Sequence, residues 1–261
     1  MPEGDTIHRA AASLRAALGH GPLVVLDAPG VRGAAPERGE PIEAIEARGK
    51  HLLVGFAGGS TLHTHLGMTG SWRVDPPSSN GARPTRPGTW ACVVTDRAAA
   101  VCRSAPTVEL LDPDALRRHP VLSALGPDLC LPDPDLGAIV SRLRALLDPA
   151  TPIGVALLDQ RPASGIGNVY RAEVLWACAV DPFASMSDLD DPKLRELFAA
   201  ANRLLRANLG GWRRRTYGDA LAVYDRAGRA CPRCGTAIAS RKLGEQARTT
   251  WWCPTCQTSA P

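Results

Sequence analysis

The chain has 261 residues, of which 44% are hydrophobic, and a formal net charge of +4 at pH 7. That length is enough for more than one buried core. The start, Met-Pro-Glu-Gly-Asp, lacks the basic and apolar regions of a signal peptide, and no apolar run approaches the roughly 18 residues of a membrane span. We therefore expect a cytoplasmic protein that does not contact membranes and whose cysteines are reduced or metal-bound.

The charge is distributed unevenly along the chain. Residues 1–191 carry 17 Lys and Arg against 22 Asp and Glu, a net −5, whereas residues 192–261 carry 13 against 4, a net +9. A basic carboxyl-terminal part is typical of proteins that bind a polyanion such as nucleic acid. A solvated basic surface is the alternative.

The first residues predict a helix, and the stretch after it predicts strands. Apolar residues recur at helical spacing from Ile7 to Leu18, and Asp5 or Thr6 is expected to cap the helix. Up to about residue 111, short β-rich runs are broken by Gly and Pro with no helix between them, which is typical of a sandwich or a barrel. The segment at 76–88, rich in Pro and Gly, is predicted to be a loop.

The second half of the chain has a helical pattern. A short helix is expected within 112–125, and the proline-rich segment at 126–136 is predicted to be a linker between domains. Amphipathic or apolar helical segments follow at 137–147, 153–160, 169–179 and 192–209.

The turn Gly165-Ile-Gly167-Asn168 opens the third of these segments. Its small residues let backbone N–H groups approach a ligand, and the positive start of the next helix favours an anion. Phosphate binding and simple helix–helix packing are both compatible with this turn. It is not a dinucleotide-binding fingerprint, because no strand precedes it and no third glycine follows.

Two Cys-x-x-Cys pairs lie near the end of the chain. Cys231 and Cys234 are separated from Cys253 and Cys256 by 18 residues, a spacing that predicts one zinc ion held by four thiolates. Two disulfides are the alternative, but nothing else in the chain indicates an oxidising compartment. The remaining cysteines show no ligand spacing and are expected to be core thiols: Cys92, Cys102, Cys130 and Cys178.

Five motifs occur in a fixed order along the chain. They are Pro2-Glu3-Gly4, Gly49-Lys50-His51-Leu-Leu, His65-Leu-Gly-Met68-x-Gly, Asp159-Gln160 with Gly165-Ile-Gly-Asn-Val-Tyr-Arg171, and Trp252-Cys-Pro-x-Cys-Gln257. Together they resemble the formamidopyrimidine-DNA glycosylase/endonuclease VIII family, and the resemblance covers essentially the whole chain. It implies a base-excision-repair enzyme that turns a damaged nucleotide out of the duplex, because the sugar C1′ cannot be reached within the base stack.

The resemblance implies an α+β multidomain fold with an amino-terminal helix on a two-layer β-sandwich. A helical domain with a helix–two-turn–helix and a zinc-ribbon β-hairpin would follow. The expected domains are 1–125 (catalytic sandwich), 126–136 (linker), 137–228 (helix–two-turn–helix) and 229–261 (zinc finger). We expect a monomer that binds one structural Zn²⁺ and damaged double-stranded DNA.

The resemblance also implies catalytic residues. Pro2, exposed when Met1 is removed, would attack C1′ through its amine and form a Schiff base, and Glu3 would act as the acid and base. Lys50 would contact a phosphate near the target and aid catalysis. Taken alone, these would be an ordinary chain start and a solvated strand-end lysine.

Three further residues match positions that bind DNA in the family. Asn168 would bind a phosphate, Arg248 would hold the backbone of the extruded nucleotide, and Met68 would fill the space that this nucleotide leaves. Their alternatives are a helix cap, a surface arginine and a core methionine. His63 and His65 share a strand face, and we interpret them as structural and not as a metal pair.

The sequence departs from the purine-repairing branch of the family. The region from Asp96 to Thr107 lacks an Arg-Arg-Phe-Gly-type loop, and the connection at 212–223 is short. Both features favour the endonuclease VIII branch, excision of oxidised pyrimidines and strand cleavage by β,δ-elimination. Two alternatives remain open: an 8-oxoguanine/formamidopyrimidine glycosylase of the same fold, and a non-catalytic protein that binds damaged DNA.

Overall fold

The structure, a computed structural model, describes residues 1–75, 88–211 and 213–258. The loop predicted at 76–88 therefore lies, except for Gly88, outside the described residues. The chain divides into two compact units, Met1–Ala124 and Leu125–Pro261. None of the helices in the described ranges combines the length and the apolar character needed to cross a membrane.

The first unit contains a long helix, two four-stranded antiparallel sheets and a short helix. Sheet I has the strand order β1-β6-β7-β5, and sheet II has the order β2-β3-β4-β8. The elements are α1 (Gly4–Leu18), β1 (Leu23–Asp27), β2 (Ile42–Arg48), β3 (His51–Phe56), β4 (Thr61–His65), β5 (Ser71–Asp75), β6 (Thr89–Thr95), β7 (Ala99–Arg103), β8 (Thr107–Leu111) and α2 (Pro113–Arg118).

Helix α1 packs against strands of both sheets, and its apolar face is the predicted one. Ile7, Leu14 and Leu18 are at most 1% exposed, and their burial removes the apolar face from water. The expected cap was wrong: the N–H groups of Thr6 and Ile7 donate to the Glu3 carbonyl. Asp5 is buried inside the first turn, where its carboxylate pairs with a guanidinium one turn later, so it cannot also cap the helix.

The second unit contains four helices and a two-stranded hairpin. The elements are α3 (Leu136–Leu146), α4 (Ile153–Ala156), α5 (Asn168–Ala177), α6 (Asp191–Ala207), β9 (Ala239–Leu243) and β10 (Arg248–Trp252). Helix α4 is shorter than the predicted 153–160. It ends early because Asp159 accepts a hydrogen bond from the Arg161 N–H in a turn, and Pro162 disfavours a helical conformation at the residue before it.

The segment between Leu125 and α3 packs within the second unit. Leu129 and Cys130 are buried in its core, and the Asn202 side chain of α6 donates to the carbonyls of Leu129 (2.9 Å) and Leu131 (2.8 Å). The predicted fold class is confirmed: an amino-terminal helix, a two-sheet sandwich, a helical part and a carboxyl-terminal hairpin with four clustered cysteines. The four cysteines expected to be core thiols are all buried.

The turn between β4 and β5 leaves no room for a side chain at Gly70. A Cβ there would lie 2.3 Å from the Leu66 carbonyl oxygen, which accepts the Gly70 N–H. We expect Gly70→Ala to lower the free energy of unfolding by about 1–3 kcal/mol, the usual effect of overpacking. Urea unfolding followed by circular dichroism measures this change. Gly210→Ala is the matched control, since a Cβ at Gly210 meets nothing within 4 Å; equal losses in both variants would contradict the prediction.

Candidate functional site

Pro2 and Glu3 lie directly before the first turn of α1. Pro2 is partly exposed, whereas Glu3 is fully buried and its carbonyl accepts the first hydrogen bonds of the helix. The Glu3 side chain makes no capping hydrogen bond. Its burial is therefore not explained by a role in starting the helix. The nitrogen of Pro2 lies at the positive end of the dipole of a 15-residue helix.

Lys50 lies in the two-residue turn between β2 and β3. Arg48 pairs with His51 across the hairpin, and Gly49 has the positive φ of 58° that this tight turn requires. Lys50 is partly buried. Burial is the largest cause of the low pKa of His51 and of His65, and the positive charge of Lys50 adds to it.

Four histidines and one carboxylate form a cluster on sheet II. His51 Nδ1 lies 2.9 Å from His63 Nε2, while His63 Nδ1 and His119 Nε2 lie 3.4 Å and 3.1 Å from the same oxygen of Glu109. The ring of His65 lies 4.8 Å from that of His51. Burial is the main cause of the low pKa of each of three rings, those of His51, His63 and His65, and the pKa of His51 falls to about 3.

Met68 lies in the turn that connects β4 to β5. Its side chain is 73% exposed, the most exposed large hydrophobic residue that the structure describes. The alternative that Met68 is a core residue is therefore wrong. Apolar exposure of this kind in a tight turn is compatible with insertion into another molecule.

In the second unit, two buried side chains hold the hairpin against α5. The Asn168 Nδ2 and the Arg171 Nη2 both donate to the Thr249 carbonyl, at 3.0 Å and 2.8 Å. Asn168 is the first residue of α5, and Gly167 occupies the cap position. The side chain of Asn168 thus fixes the hairpin instead of capping its own helix.

Arg248 is the first residue of β10 and is exposed. It pairs with Leu243 across the hairpin, next to a tip in which Gly244 and Ala247 both have positive φ. Among the described residues, no ion pair involves its guanidinium group. Because Thr249 is the adjacent residue, the contacts of Asn168 and Arg171 determine where Arg248 projects.

The four cysteines of the two Cys-x-x-Cys pairs lie around one point. All four sulfurs are within 4.8 Å of one another; Cys231 Sγ lies 3.9 Å from Cys256 Sγ, and Cys234 Sγ lies 3.4 Å from Cys253 Sγ. Sulfurs at about 2.3 Å from a tetrahedral zinc ion would be about 3.8 Å apart. The cluster therefore fits a metal ion of that size.

The surroundings of the cluster also suit thiolates. The indole N–H of Trp176 donates to Cys231 Sγ at 3.4 Å. Hydrogen bonds from the side chain and the backbone of Thr236 lower the pKa of Cys234 to about 6. Desolvation and the neighbouring sulfurs raise the pKa of Cys256 to about 12. A bound dication would balance the negative charge of the thiolates and displace the remaining protons.

Glu173 on α5 organises the chain before the hairpin, and the sequence analysis missed it. The two oxygens of this buried carboxylate accept the backbone N–H groups of Ala222, Val223 and Tyr224, and also the hydroxyl of Thr216. A glutamate inside the otherwise apolar run Ala172–Trp176 was the available signal, because an acidic residue on a buried helix face needs donors.

The structure brings predicted residues together within each unit. In the first unit, Pro2 and Glu3 adjoin at the start of α1, Lys50 lies in the β2–β3 hairpin turn, and Met68 lies in the turn that connects sheet II to sheet I. In the second unit, Asn168 contacts the strand that begins with Arg248.

The histidine cluster makes the stability of the protein depend on pH. The pKa of His51 is about 3 in the folded protein, against an ordinary value of 6.5. As the pH falls below 6.5, the His51 ring of the unfolded chain therefore binds a proton, whereas the same ring in the folded protein stays unprotonated until about pH 3. We expect the free energy of unfolding to fall across this window, by up to about 1.4 kcal/mol per pH unit for this ring alone.

Thermal unfolding of the wild type and of His51→Gln between pH 7.5 and 4 measures this effect. The loss on acidification should be smaller in His51→Gln. The control variant His20→Gln, which removes an exposed ring, should keep the wild-type loss. An identical slope in all three proteins would contradict the prediction.

Comparison with known proteins identifies the family. Residues 1–115 match the family model of the formamidopyrimidine-DNA glycosylase N-terminal domain, and residues 125–214 match that of the formamidopyrimidine-DNA glycosylase H2TH domain. The two matches together cover more than half of the chain.

Relatives and solved structures agree with this result. The chain is 38% identical to a probable endonuclease 8 2 of Streptomyces coelicolor, over 98% of this chain and 94% of the relative. It is also 38% identical to the DNA-(apurinic or apyrimidinic site) lyase Nei2 of Mycolicibacterium smegmatis, over the full length of both. A Lactococcus lactis formamidopyrimidine-DNA glycosylase, solved on DNA containing an abasic site, has the same fold with a TM-score of 0.82 and 23% identity, over 98% of this chain and 99% of the neighbour. The chain therefore belongs to the formamidopyrimidine-DNA glycosylase family, a family of DNA glycosylases with abasic-site lyase activity, and resembles its endonuclease VIII branch, as its motifs predicted.

Proposed function

We propose that this protein excises oxidised pyrimidines from double-stranded DNA and then cleaves the strand, with the amine of Pro2 as the nucleophile. The observation that carries the proposal is the start of α1, where a proline follows the initiator methionine and precedes a fully buried carboxylate. A protein that only binds DNA needs neither group. The proposed enzyme acts as a monomer.

The Pro2 amine suits the chemistry because it is a weak base for a protein amine. An α-amine has a pKa of roughly 8, against roughly 10.4 for lysine, so an appreciable fraction is neutral at physiological pH. The positive end of the α1 dipole further disfavours its protonated form. The neutral nitrogen attacks C1′ and the bond to the base breaks; loss of the nitrogen's proton and opening of the sugar then leave an iminium.

Glu3 is proposed to move the protons that these steps require. Its carboxyl would protonate the sugar ring oxygen as the ring opens and would accept a proton in a later step. β-Elimination breaks the bond to the 3′ phosphate, δ-elimination breaks the bond to the 5′ phosphate, and hydrolysis of the iminium regenerates the free amine of Pro2. Burial of Glu3 supports this role, because a carboxyl shielded from water can exchange a proton with the sugar and not with solvent.

Three residues are proposed to hold the phosphates of the damaged strand. Lys50 supplies a charge from the β2–β3 turn, and Arg248 supplies an exposed guanidinium from β10. Asn168 begins α5, where backbone N–H groups favour an anion. The hydrogen bond from Asn168 to the Thr249 carbonyl supports the proposal, since it ties two of these positions into one rigid surface.

Met68 is proposed to enter the duplex in place of the extruded nucleotide. An exposed, unbranched apolar side chain in a turn is suited to this role, because it can stack between bases without losing hydrogen bonds. Its exposure in the absence of DNA supports the assignment.

The four clustered cysteines are proposed to hold one structural zinc ion. Four thiolates fill the tetrahedral shell, so the ion supplies no open position for catalysis. Its role would be to hold the hairpin that carries Arg248.

Oxidised pyrimidines are proposed as the substrates for two reasons. The sequence from Asp96 to Thr107 lacks the Arg-Arg-Phe-Gly-type loop of the purine-repairing branch, and the curated relatives described above carry the names endonuclease 8 and Nei2. An oxidised-purine glycosylase of the same fold is the second candidate.

Borohydride trapping on duplexes with one defined lesion tests the nucleophile and the acid. We expect a covalent complex on thymine glycol and 5-hydroxycytosine duplexes, and none with Pro2→Gly. Single-turnover excision by Glu3→Gln should be about 10²- to 10⁴-fold slower, the usual contribution of a general acid or base. The helix should be intact in this variant, because the Glu3 side chain does not cap it.

Glu43→Gln, which removes an exposed carboxylate of β2, is the control and should trap like the wild type. Trapping by Pro2→Gly, or wild-type rates in Glu3→Gln, would contradict the assigned roles. No trapping on any oxidised base or abasic site would contradict the enzymatic proposal. Faster excision of 8-oxoguanine than of both pyrimidines would favour the second candidate.

The zinc proposal predicts that DNA binding depends on the cysteine cluster. We expect Cys234→Ser to lose bound zinc and to weaken binding of abasic-site DNA by about tenfold or more, because metal binding and local folding are coupled. The first unit should keep its fold. Atomic absorption and fluorescence anisotropy measure the two effects. Cys92→Ala, a buried cysteine of sheet I, is the control; normal DNA binding by zinc-free Cys234→Ser would contradict the proposed role.

A further inference from the structure

The side chains of the histidine cluster on sheet II form a row of hydrogen bonds that packing in a core would not by itself require. His63 on β4 pairs in register with Glu109 on β8, and His51 on β3 is hydrogen-bonded to His63. A row of three hydrogen-bonded side chains thus crosses the sheet from a partly exposed carboxylate to the residue next to Lys50. His119 contacts the same carboxylate from the segment after α2.

The tautomer of His119 follows from its neighbours. Its Nδ1 accepts the backbone N–H groups of Val121 and Leu122, at 3.2 Å and 3.1 Å. The ring proton must therefore be on Nε2, which donates to Glu109. A nitrogen that carries a proton has no lone pair for a metal ion. His63, Glu109 and His119 are accordingly not a metal site in this arrangement, although their ligand atoms lie within 4.8 Å of one another.

The tautomers of His63 and His51 follow in turn. Glu109 as a carboxylate can only accept, so His63 Nδ1 donates to it and His63 Nε2 is left with a lone pair. That lone pair accepts the proton of His51 Nδ1. His51 Nε2 then carries a lone pair as well. The direction of every hydrogen bond in the row is set by the charge on Glu109.

Burial is the main cause of the low pKa of His51, and four neighbouring groups lower it further. They are His63 and His65 on β4, Lys50 in the adjoining turn, and His119. His65 Nδ1 accepts the Gly67 N–H at 3.4 Å, which places its own proton on Nε2. Each of these groups, when charged, would be a cation, and His51 is only 7% exposed. A second positive charge next to Lys50 is therefore disfavoured.

We propose that Glu109, His63 and His51 form a positioning relay that holds a neutral, lone-pair-bearing imidazole beside the ammonium group of Lys50. The inference rests on the proposed function, in which Lys50 contacts a phosphate and aids catalysis. A neutral imidazole with a lone pair attracts an ammonium group, whereas an N–H or an imidazolium repels it. The carboxylate of Glu109 thus acts on Lys50 through two intervening side chains, those of His63 and His51.

Glu109→Ala removes the acceptor that sets the direction of the relay. The oxygen that accepts from both His63 and His119 is lost, so the row is no longer held in one direction and can turn an N–H toward Lys50. We expect single-turnover cleavage of abasic-site DNA to slow by roughly 10- to 100-fold, the usual effect of misplacing a catalytic group. The Lys50→Ala variant should be slow, and Lys50→Ala combined with Glu109→Ala should be no slower than Lys50→Ala alone.

Losses that multiply in the double variant would overturn the relay while leaving the proposed role of Lys50 intact. A fully active Lys50→Ala would overturn that role, and the relay with it. Glu43→Ala, which removes an exposed carboxylate of β2, is the matched control and should cleave at the wild-type rate.

The imidazole ¹⁵N chemical shifts of the wild-type protein test the same inference without measuring activity. We expect the Nδ1–H tautomer for His51 and His63 and the Nε2–H tautomer for His119. The Nε2–H tautomer at His51, or a protonated ring at neutral pH, would overturn the relay even if Glu109→Ala does not fold.

Discussion

The carbonyl of Thr249 is the contact on which the second unit depends. It accepts hydrogen bonds from two buried donors, Asn168 and Arg171, that lie one turn apart at the start of α5. A buried donor without an acceptor costs about 1–3 kcal/mol. If the hairpin left this position, both buried donors would lose their acceptor at once. The carboxylate of Glu173 fixes the chain before the hairpin in the same way, through the N–H groups of residues 222–224. One helix thus holds the chain before the first cysteine pair and again between the two pairs.

The first unit differs from the second, because its residues proposed for catalysis and DNA binding lie near the start of the chain and in turns. At the start of α1, the Glu3 carbonyl accepts the first backbone hydrogen bonds of the helix, and the Glu3 side chain does not cap it. The tight turns at Gly49 and Gly70 fix Lys50 and Met68. On sheet II, the carboxylate of Glu109 orders His63 and His119 directly and His51 through His63, and burial keeps the ring of His51 uncharged.

The sequence and the structure agree where the signal is local. Helical spacing predicted the buried face of α1, and the Cys-x-x-Cys spacing predicted the cysteine cluster. The errors arose where distant contacts decide. Asp5 was expected to cap α1, but its carboxylate is buried against Arg9 and the Glu3 carbonyl begins the helix. The interpretation of His63 and His65 as structural is not among these errors, but periodicity could not show that Glu109 lies opposite His63.

By itself, the sequence determined the family, the fold class and the residues proposed for catalysis, because these follow from short motifs and their order along the chain, which can be read without coordinates. Only the tertiary structure decided which way buried donors point. Glu109, His119 and Glu173 each have an ordinary appearance in the sequence, and each has its role through partners that are between 10 and 51 residues away. Hydrogen-bond direction depends on which atoms meet in a buried place, and residue spacing carries no information about that.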